Sequence, residues 1–498
     1  MKSKGILTGA MKHSDARMGR AALLFLPAKI VEGLIGVWTL SYTTACLSHD
    51  AYERFSTVNT VVVFANLLFL GWIINATTRY VGEYADTPRA GRFYSTSAAL
   101  WAMPNALALL AAAVVCAVTR STTWFAAFLM LTATSLYQIT LGELVQTGRQ
   151  VGCVAVSIAS ALAKPAVMWL VCRALTGGAA VDRILPAVLG YAVSELAGGL
   201  AASVLLKIPR KLSLRGFDGE IAKKFAAYGV PLLGVSVSVG LLNMIDRFII
   251  IFFHGEFGIY NANNTISSTV FTMLTVGVMR AVYPAVLRGY REGGISAAKP
   301  LLDRGARMYV LLAAPAAAGL CGISRQLSSL LYQSDPYYVS GSPIIGIIAC
   351  AMFFSGLNEY AIKTWELRAQ TVPIMAGALV SMAVKVAVSC ALLPVFGFLG
   401  AAVGSLAGFV LYFTLSAVRA RKTLLFSLRP RTIVTVVLGS LLCGGGAYAV
   451  SCAIASPFLA VLCAVPAGAA LYAAVLLVSS EVRDELSALT ARLRRGRS

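Results

Sequence analysis

Apolar positions along this chain fall in long unbroken runs, without the in-out alternation of a half-buried strand. Fourteen runs stand out, at 21–44, 57–78, 95–117, 123–145, 152–173, 184–206, 227–253, 259–284, 307–329, 343–362, 373–394, 397–418, 432–453 and 457–479. About 20 apolar residues in α-helix cross the hydrocarbon of a bilayer, so each run predicts a membrane-spanning helix. Continuous runs of this length exclude an outer-membrane barrel, whose strands alternate. Only a few residues separate 373–394 from 397–418, which predicts a helical hairpin there. The connecting segments are too short for a soluble catalytic module, the longest being about 15–20 residues. The opening "MKSKGILTGAMKHSDARMGR" shows no cleavable signal pattern, so the first run is expected to stay as a helix. The closing "SSEVRDELSALTARLRRGRS" reads equally as a short amphipathic surface helix or a basic solvated tail.

Composition agrees with this pattern. The 498 residues are 58% hydrophobic and 13% charged, with a mean hydropathy of +0.77, more apolar surface than a soluble protein of this length can hide. The net charge of +21 is placed by orientation. With the N-terminus inside, inner segments hold 32 of the 42 Lys and Arg residues, and the outer loops and helix ends hold only Arg54, Arg120, Arg173, Arg183 and Arg325. This asymmetry follows the positive-inside rule, puts both termini in the cytoplasm, and accounts for the basic charge without nucleic acid. The ten cysteines form no C-x-x-C pair and read as small apolar helix residues. His13, His49 and His254 lie too far apart in sequence to suggest metal spacing, and no cofactor motif is present.

The remaining five cations, Lys29, Lys164, Arg247, Arg280 and Lys385, lie within spans. Lys164 and Lys385 sit about 12 residues, or roughly 18 Å, from the inner ends of their helices, too deep to snorkel. A charge at that depth costs about 2.5–3.5 kcal/mol, so such a lysine faces a wet cavity or pairs with a helix carbonyl or buried acid. In the first span Lys29 and Glu32 are three residues apart, with Gly33 and Gly36 on the same face. In the seventh, Asp246 and Arg247 are adjacent, about 100° apart around the helix, so each needs a partner elsewhere. Asn243, Gly240 and Ser236 continue a polar seam below them. The eighth span carries Asn261, Asn264, Thr265, Ser268, Thr272 and Thr275 at three- and four-residue steps, which form either interhelical glue or the wall of a solvated passage. Glu143 lies near an inner helix end, within reach of water. Glu359 precedes Lys363 by one turn. Glu195 has no local partner and is the stronger candidate for a coupling carboxylate, although it could pair with Lys164. Arg280, near an inner end, can snorkel.

Two weak self-matches suggest an internal repeat. "HDAYERFSTVN" (49–59) and "HGEFGIYNANN" (254–264) both follow the first span of a six-span set, and "AKPAV" (163–167) matches "VKVAV" (384–388) in the fifth span of each. The expected architecture is an all-α polytopic membrane protein of about 14 helices. Residues 1–206 form a six-helix lobe, 207–226 an inner loop, 227–418 a second, pseudo-symmetric six-helix lobe, and 419–498 two further helices and a basic tail. Internal repeats of this kind are common in secondary transporters.

The residues "YGVPLLGVSVSVGLLNMIDRFIIIFFHGEFGIYNAN" (228–263), "LLPVFGFLGAAVGSLAG" (392–408) and "LLAAPAAAGL" (311–320) resemble segments of the polysaccharide-biosynthesis flippases of the multidrug/oligosaccharidyl-lipid/polysaccharide exporter superfamily. The resemblance runs to about residue 420. It implies a two-lobed transporter, not an enzyme, that moves an undecaprenyl-pyrophosphate-linked oligosaccharide across a bacterial inner membrane for O-antigen, lipopolysaccharide or exopolysaccharide synthesis. Implied partners are membrane lipids, a polysaccharide polymerase and chain-length machinery. Under it, Lys29, Lys164, Arg247, Lys385, Asn243, Asn261 and Asn264 are substrate-cavity candidates, with Glu32, Glu195 and Asp246 as charge-balancing or coupling-ion candidates. Fourteen spans exceed the twelve common in this branch, which leaves a lipid II flippase as an alternative. A drug or metabolite cation antiporter of the same fold would favour an acid-dominated cavity, whereas the deepest charges here are cations. A membrane enzyme such as a glycan polymerase is disfavoured, since the chain has no long outer loop, zinc motif, nucleophile elbow or P-loop.

Overall fold

The computed structural model describes residues 31–479 apart from 121, 177–182, 214–215, 254 and 369. Lys29, the basic opening segment, the 480–498 tail and the side chain of Arg280 lie outside the described residues.

Each predicted span coincides with helix wherever its residues are described. These are α1 over 31–46, α2 (His49–Tyr84), α3 (Ala90–Thr119), α4 (Thr123–Gln146), α5 (Gln150–Thr176), α6 (Leu185–Leu205) and α7 (Gly219–Phe252). There follow α8 over 257–292, α9 over 295–331, α10 (Ser342–Ala361), α11 (Val372–Phe396), α12 (Phe398–Ala420), α13 (Pro430–Ala453) and α14 (Pro457–Val478). Twelve continuous helices among the described residues are long and apolar enough to cross a membrane. One of them is Phe257–Leu331, which turns at Gly293 and Gly294 and supplies both α8 and α9. Gly294 has φ 64° and ψ −150°, a conformation open essentially to glycine alone, so the helical run breaks there. The chain is a multi-pass α-helical membrane protein.

Several helices outrun their apolar runs. The expected loop at 49–59 is the first three turns of α2: Ser48 caps it by accepting from Ala51 N, and Asp50 lies in the first turn. Asp218 caps α7 in the same way, its Oδ1 accepting from Glu220 N at 3.0 Å. The polar segment 288–307, expected as an inner loop, is helical on both sides of the glycine pair. The predicted hairpin is present, with Gly397 alone between α11 and α12.

By internal contacts the chain divides into two units, Met1–Met244 and Ile245–Ser498, with the division inside α7. In the first unit α7 lies close to α2: a Cβ at Gly229 would stand 2.6 Å from Trp72 O, and one at Gly240 would collide with Leu67 Cδ2. Leu67 belongs to a π-helical turn, Asn66–Leu70, that interrupts α2. Gly240, expected on a polar seam, is therefore a packing residue. Nearer the α7 start, Phe93, Tyr84, Tyr80 and Phe225 form an aromatic cluster. In the second unit, Gly400, Gly404 and Gly408 form a small-residue stripe by which α12 presses onto α11.

One expectation about cysteine is overturned. Cys46 and Cys172, 126 residues apart, form a disulfide that ties the end of α1 to the end of α5. No spacing motif announces it, because helix packing alone brings the two ends together. Eight of the ten cysteines should therefore alkylate in unreduced, denatured protein. Reduction should lower stability by about 2–4 kcal/mol in an unfolding titration. Alkylation of all ten without reductant would contradict the bond.

Candidate functional site

Among the described residues, each unit holds an interhelical lysine–carboxylate pair. In the first unit Lys164 on α5 donates to Glu195 Oε1 on α6 at 2.7 Å, and Thr134 on α4 donates to Glu195 Oε2 at 2.5 Å. The Lys164 ammonium also lies 4.6 Å from the centre of the Tyr191 ring. Gly190 makes room for this: a Cβ there would stand 2.9 Å from Lys164 O, so any side chain would push α6 off α5. Glu32 on α1 is close enough to act electrostatically on Lys164. Glu195 thus has the partner that sequence spacing left open.

In the second unit Lys385 on α11 donates to Asp246 Oδ1 on α7 at 2.7 Å, and Tyr260 on α8 donates to Asp246 Oδ2. Ser405 on α12 lies 3.5 Å from the Tyr260 hydroxyl. The ammonium stands 5.2 Å from the centre of the Phe409 ring, and the absent side chain of Gly408 leaves space for the lysine stem. The two constellations share a design: a lysine on the fifth helix of a six-helix set, and a glycine followed by an aromatic on the sixth. The supporting residues Tyr191, Phe409, Tyr260, Thr134 and Ser405 were not singled out from the sequence. The Gly190–Tyr191 and Gly408–Phe409 dipeptides were the available signal, and unequal spacing from the two lysines hides it.

The two pairs differ in access. The Lys164 and Glu195 side chains are 21% and 11% exposed, whereas Lys385 and Asp246 are 1% and 3% exposed. Each Asp246 oxygen accepts from a protein donor, Lys385 on Oδ1 and Tyr260 on Oδ2. An ion pair so fully desolvated persists only because its hydrogen bonds are complete.

The other predicted residues are spread out. Arg247 is half-buried, and its Nε is hidden without a hydrogen-bond partner among the described residues. Asn243 is exposed and donates to Val239 O within its own helix. The polar face of α8 divides in two. Asn261 and Asn264 are buried: the Asn261 backbone oxygen accepts from the Thr265 hydroxyl, and Asn264 Oδ1 from the Ser268 hydroxyl. Asn263, between them, bonds to Tyr338 O and Ser328, joining α8 to its neighbours. Two turns on, Thr272 and Thr275 do line a cavity of about 390 Å³, together with Met279, Met352, Ser355 and Glu359. Glu359 also meets Lys363 at 3.5 Å, the expected one-turn pair, and Lys363 bonds more closely to Glu366 at 2.6 Å. Glu143, expected to reach water, is instead 1% exposed, with Oε2 unbonded among the described residues. The described residues contain no cluster of His, Cys, Asp or Glu able to hold a metal.

No protein-family model matches the chain, and no curated protein matches it in sequence. Solved structures do match in fold. A lipid II flippase MurJ in an inward closed conformation aligns with a TM-score of 0.73 at 14% identity, covering 93% of this chain and all of that one. An inward-facing multidrug resistance MATE family transporter of the MOP superfamily aligns with a TM-score of 0.58 at 12% identity, over 80% of this chain and 97% of its own. A MOP superfamily transporter from Pyrococcus furiosus, described as having a binding pocket of reversed polarity, aligns at 0.57 and 13% identity, over 81% and 95%. At these identities the likeness establishes a shared fold.

Proposed function

We propose that this protein is a flippase that carries an undecaprenyl-diphosphate-linked oligosaccharide from the cytoplasmic to the outer leaflet of a bacterial inner membrane, for surface polysaccharide synthesis. The observation that carries the reading is the fold match to a flippase of a lipid substrate, which spans 93% of this chain against 80–81% for the other two transporters described. The charge pattern supports it. A diphosphate head group seeks cations that hold and release it. Lys164 is partly accessible, and Arg247 has an unbonded buried donor. The hydroxyls of Thr272, Thr275 and Ser355 with the Glu359 carboxylate make a wall suited to sugar hydroxyls. Glu195 and Asp246 are already neutralised by lysines, which disfavours those sites for a drug-like organic cation.

In this reading residues 1–206 and 227–418 are two halves of one repeat that rock against each other, and the lysine over a glycine–aromatic step, built once in each, is its signature. The termini lie in the cytoplasm. The Cys46–Cys172 disulfide joins helix ends that charge assigns to the outside, the face where disulfides persist. Lipid II as the carried lipid is the second reading, favoured by the named substrate class of the flippase neighbour.

Deleting the gene is expected to trap lipid-linked glycan in the inner leaflet and to reduce surface polysaccharide. Leaflet-resolved labelling of the glycan checks this, and accumulation of lipid II in place of a surface-polysaccharide precursor would select the second reading. Unchanged outer-leaflet glycan, with no compensating transporter, would refute both.

A further inference from the structure

Two free cysteines remain unexplained by any of this. Helices α9 and α10 approach closely at Gly346, where a Cβ would stand 3.0 Å from Cys321 Sγ and 3.3 Å from Cys321 Cα. Cys350 lies one turn further along α10, on the same face. Its thiol is near enough to interact with that of Cys321. Two other thiols donate to backbone, Cys153 to Leu141 O and Cys443 to Pro315 O. Cys321 and Cys350 instead both line a cavity of about 590 Å³ between α9, α10 and α13, walled by Ala317, Phe353, Gly444 and Tyr448. Cys321 lies about 15 Å from the end of its helix at Leu331, well inside the apolar zone.

We propose that Cys321 and Cys350 form a redox-active dithiol whose oxidant is a membrane-soluble quinone, and whose disulfide fastens α9 to α10. The close helix approach at Gly346 and the interaction of the two thiols put the sulfurs side by side, as a disulfide requires. The apolar lining and depth favour an oxidant that partitions into the bilayer over a hydrophilic one. Two S–H bonds break and one S–S bond forms; two electrons and two protons pass to the quinone, which leaves as hydroquinone. A dithiol reductant reverses the step. Because α10 also carries Ser355 and Glu359 of the neighbouring cavity, the bond would fix one wall of that cavity.

The test uses the full-length protein in lipid nanodiscs with a short-chain ubiquinone. Alkylatable thiols are counted by intact mass, and cross-linked peptides are mapped. Quinone should remove two thiols, yield a Cys321–Cys350 peptide and be reversed by dithiothreitol. Cys321→Ser and Cys350→Ser should each abolish the response, while Cys463→Ser should keep it. Oxidised glutathione should react roughly tenfold more slowly or worse. No thiol loss, a different cysteine pair, or persistence of the response in either Ser variant would overturn the dithiol. Equal rates with glutathione would overturn the quinone as its oxidant.

Discussion

Asp246→Ala should cost about 3–5 kcal/mol of stability, because it leaves the Lys385 ammonium buried without its carboxylate. Lys385 is 1% exposed and cannot reach water, and Asp246 is the carboxylate it bonds at 2.7 Å, so its charge loses that compensation. Lys385→Ala should cost a similar amount by leaving Asp246 without its bonded cation, with the Tyr260 hydroxyl and the nearby Arg247 charge as partial support. The double replacement Asp246→Leu with Lys385→Met should recover much of the loss, since an apolar pair of similar volume often matches a buried ion pair. Unfolding titrations of the four proteins in detergent close the cycle. Additive losses, with a double variant as unstable as the sum of the singles, would mean that the two residues do not act as a pair.

Lys164→Gln should reduce transport by about 10–100-fold while the protein remains folded in the membrane. The expected size follows from losing one charge-assisted contact of about 1.5–3 kcal/mol. The prediction rests on access: this pair is 21% and 11% exposed, so the ammonium can exchange Glu195 for an anionic group without first unpacking the helices. Glu195→Gln keeps the cation but removes its resting partner, and a smaller loss is expected. Wild-type transport in Lys164→Gln would remove Lys164 from the substrate path.

The sequence disclosed the spans because lipid forces them. A backbone in hydrocarbon must satisfy its own hydrogen bonds, so each crossing is a continuous apolar helix. Helix ends beyond the lipid were hidden, since hydropathy says nothing there. Capping by Ser48 and Asp218 and a glycine pair at 293–294 set the limits of α2, α7, α8 and α9. The depth of Lys164 and Lys385 was readable by counting turns; their partners were not. Lys164 meets Glu195 across 31 residues and Lys385 meets Asp246 across 139, separations that carry no periodic signal. The Cys46–Cys172 bond was missed for the same reason. The polar face of α8 was visible as a pattern, but only packing decides that Asn261 and Asn264 are buried while Thr272 and Thr275 border a cavity.

The most direct test of the account is translocation in vesicles containing only the purified protein. A fluorescent undecaprenyl-diphosphate oligosaccharide is loaded into both leaflets, and the fraction reachable by an impermeant glycan-cleaving enzyme is followed over time. The account predicts that accessibility rises beyond the outer-leaflet half in vesicles with the wild-type chain, and much more slowly with Lys164→Gln. Accessibility that stays at one half with the wild-type chain, as in protein-free vesicles, would contradict the claim that this protein flips a lipid-linked glycan.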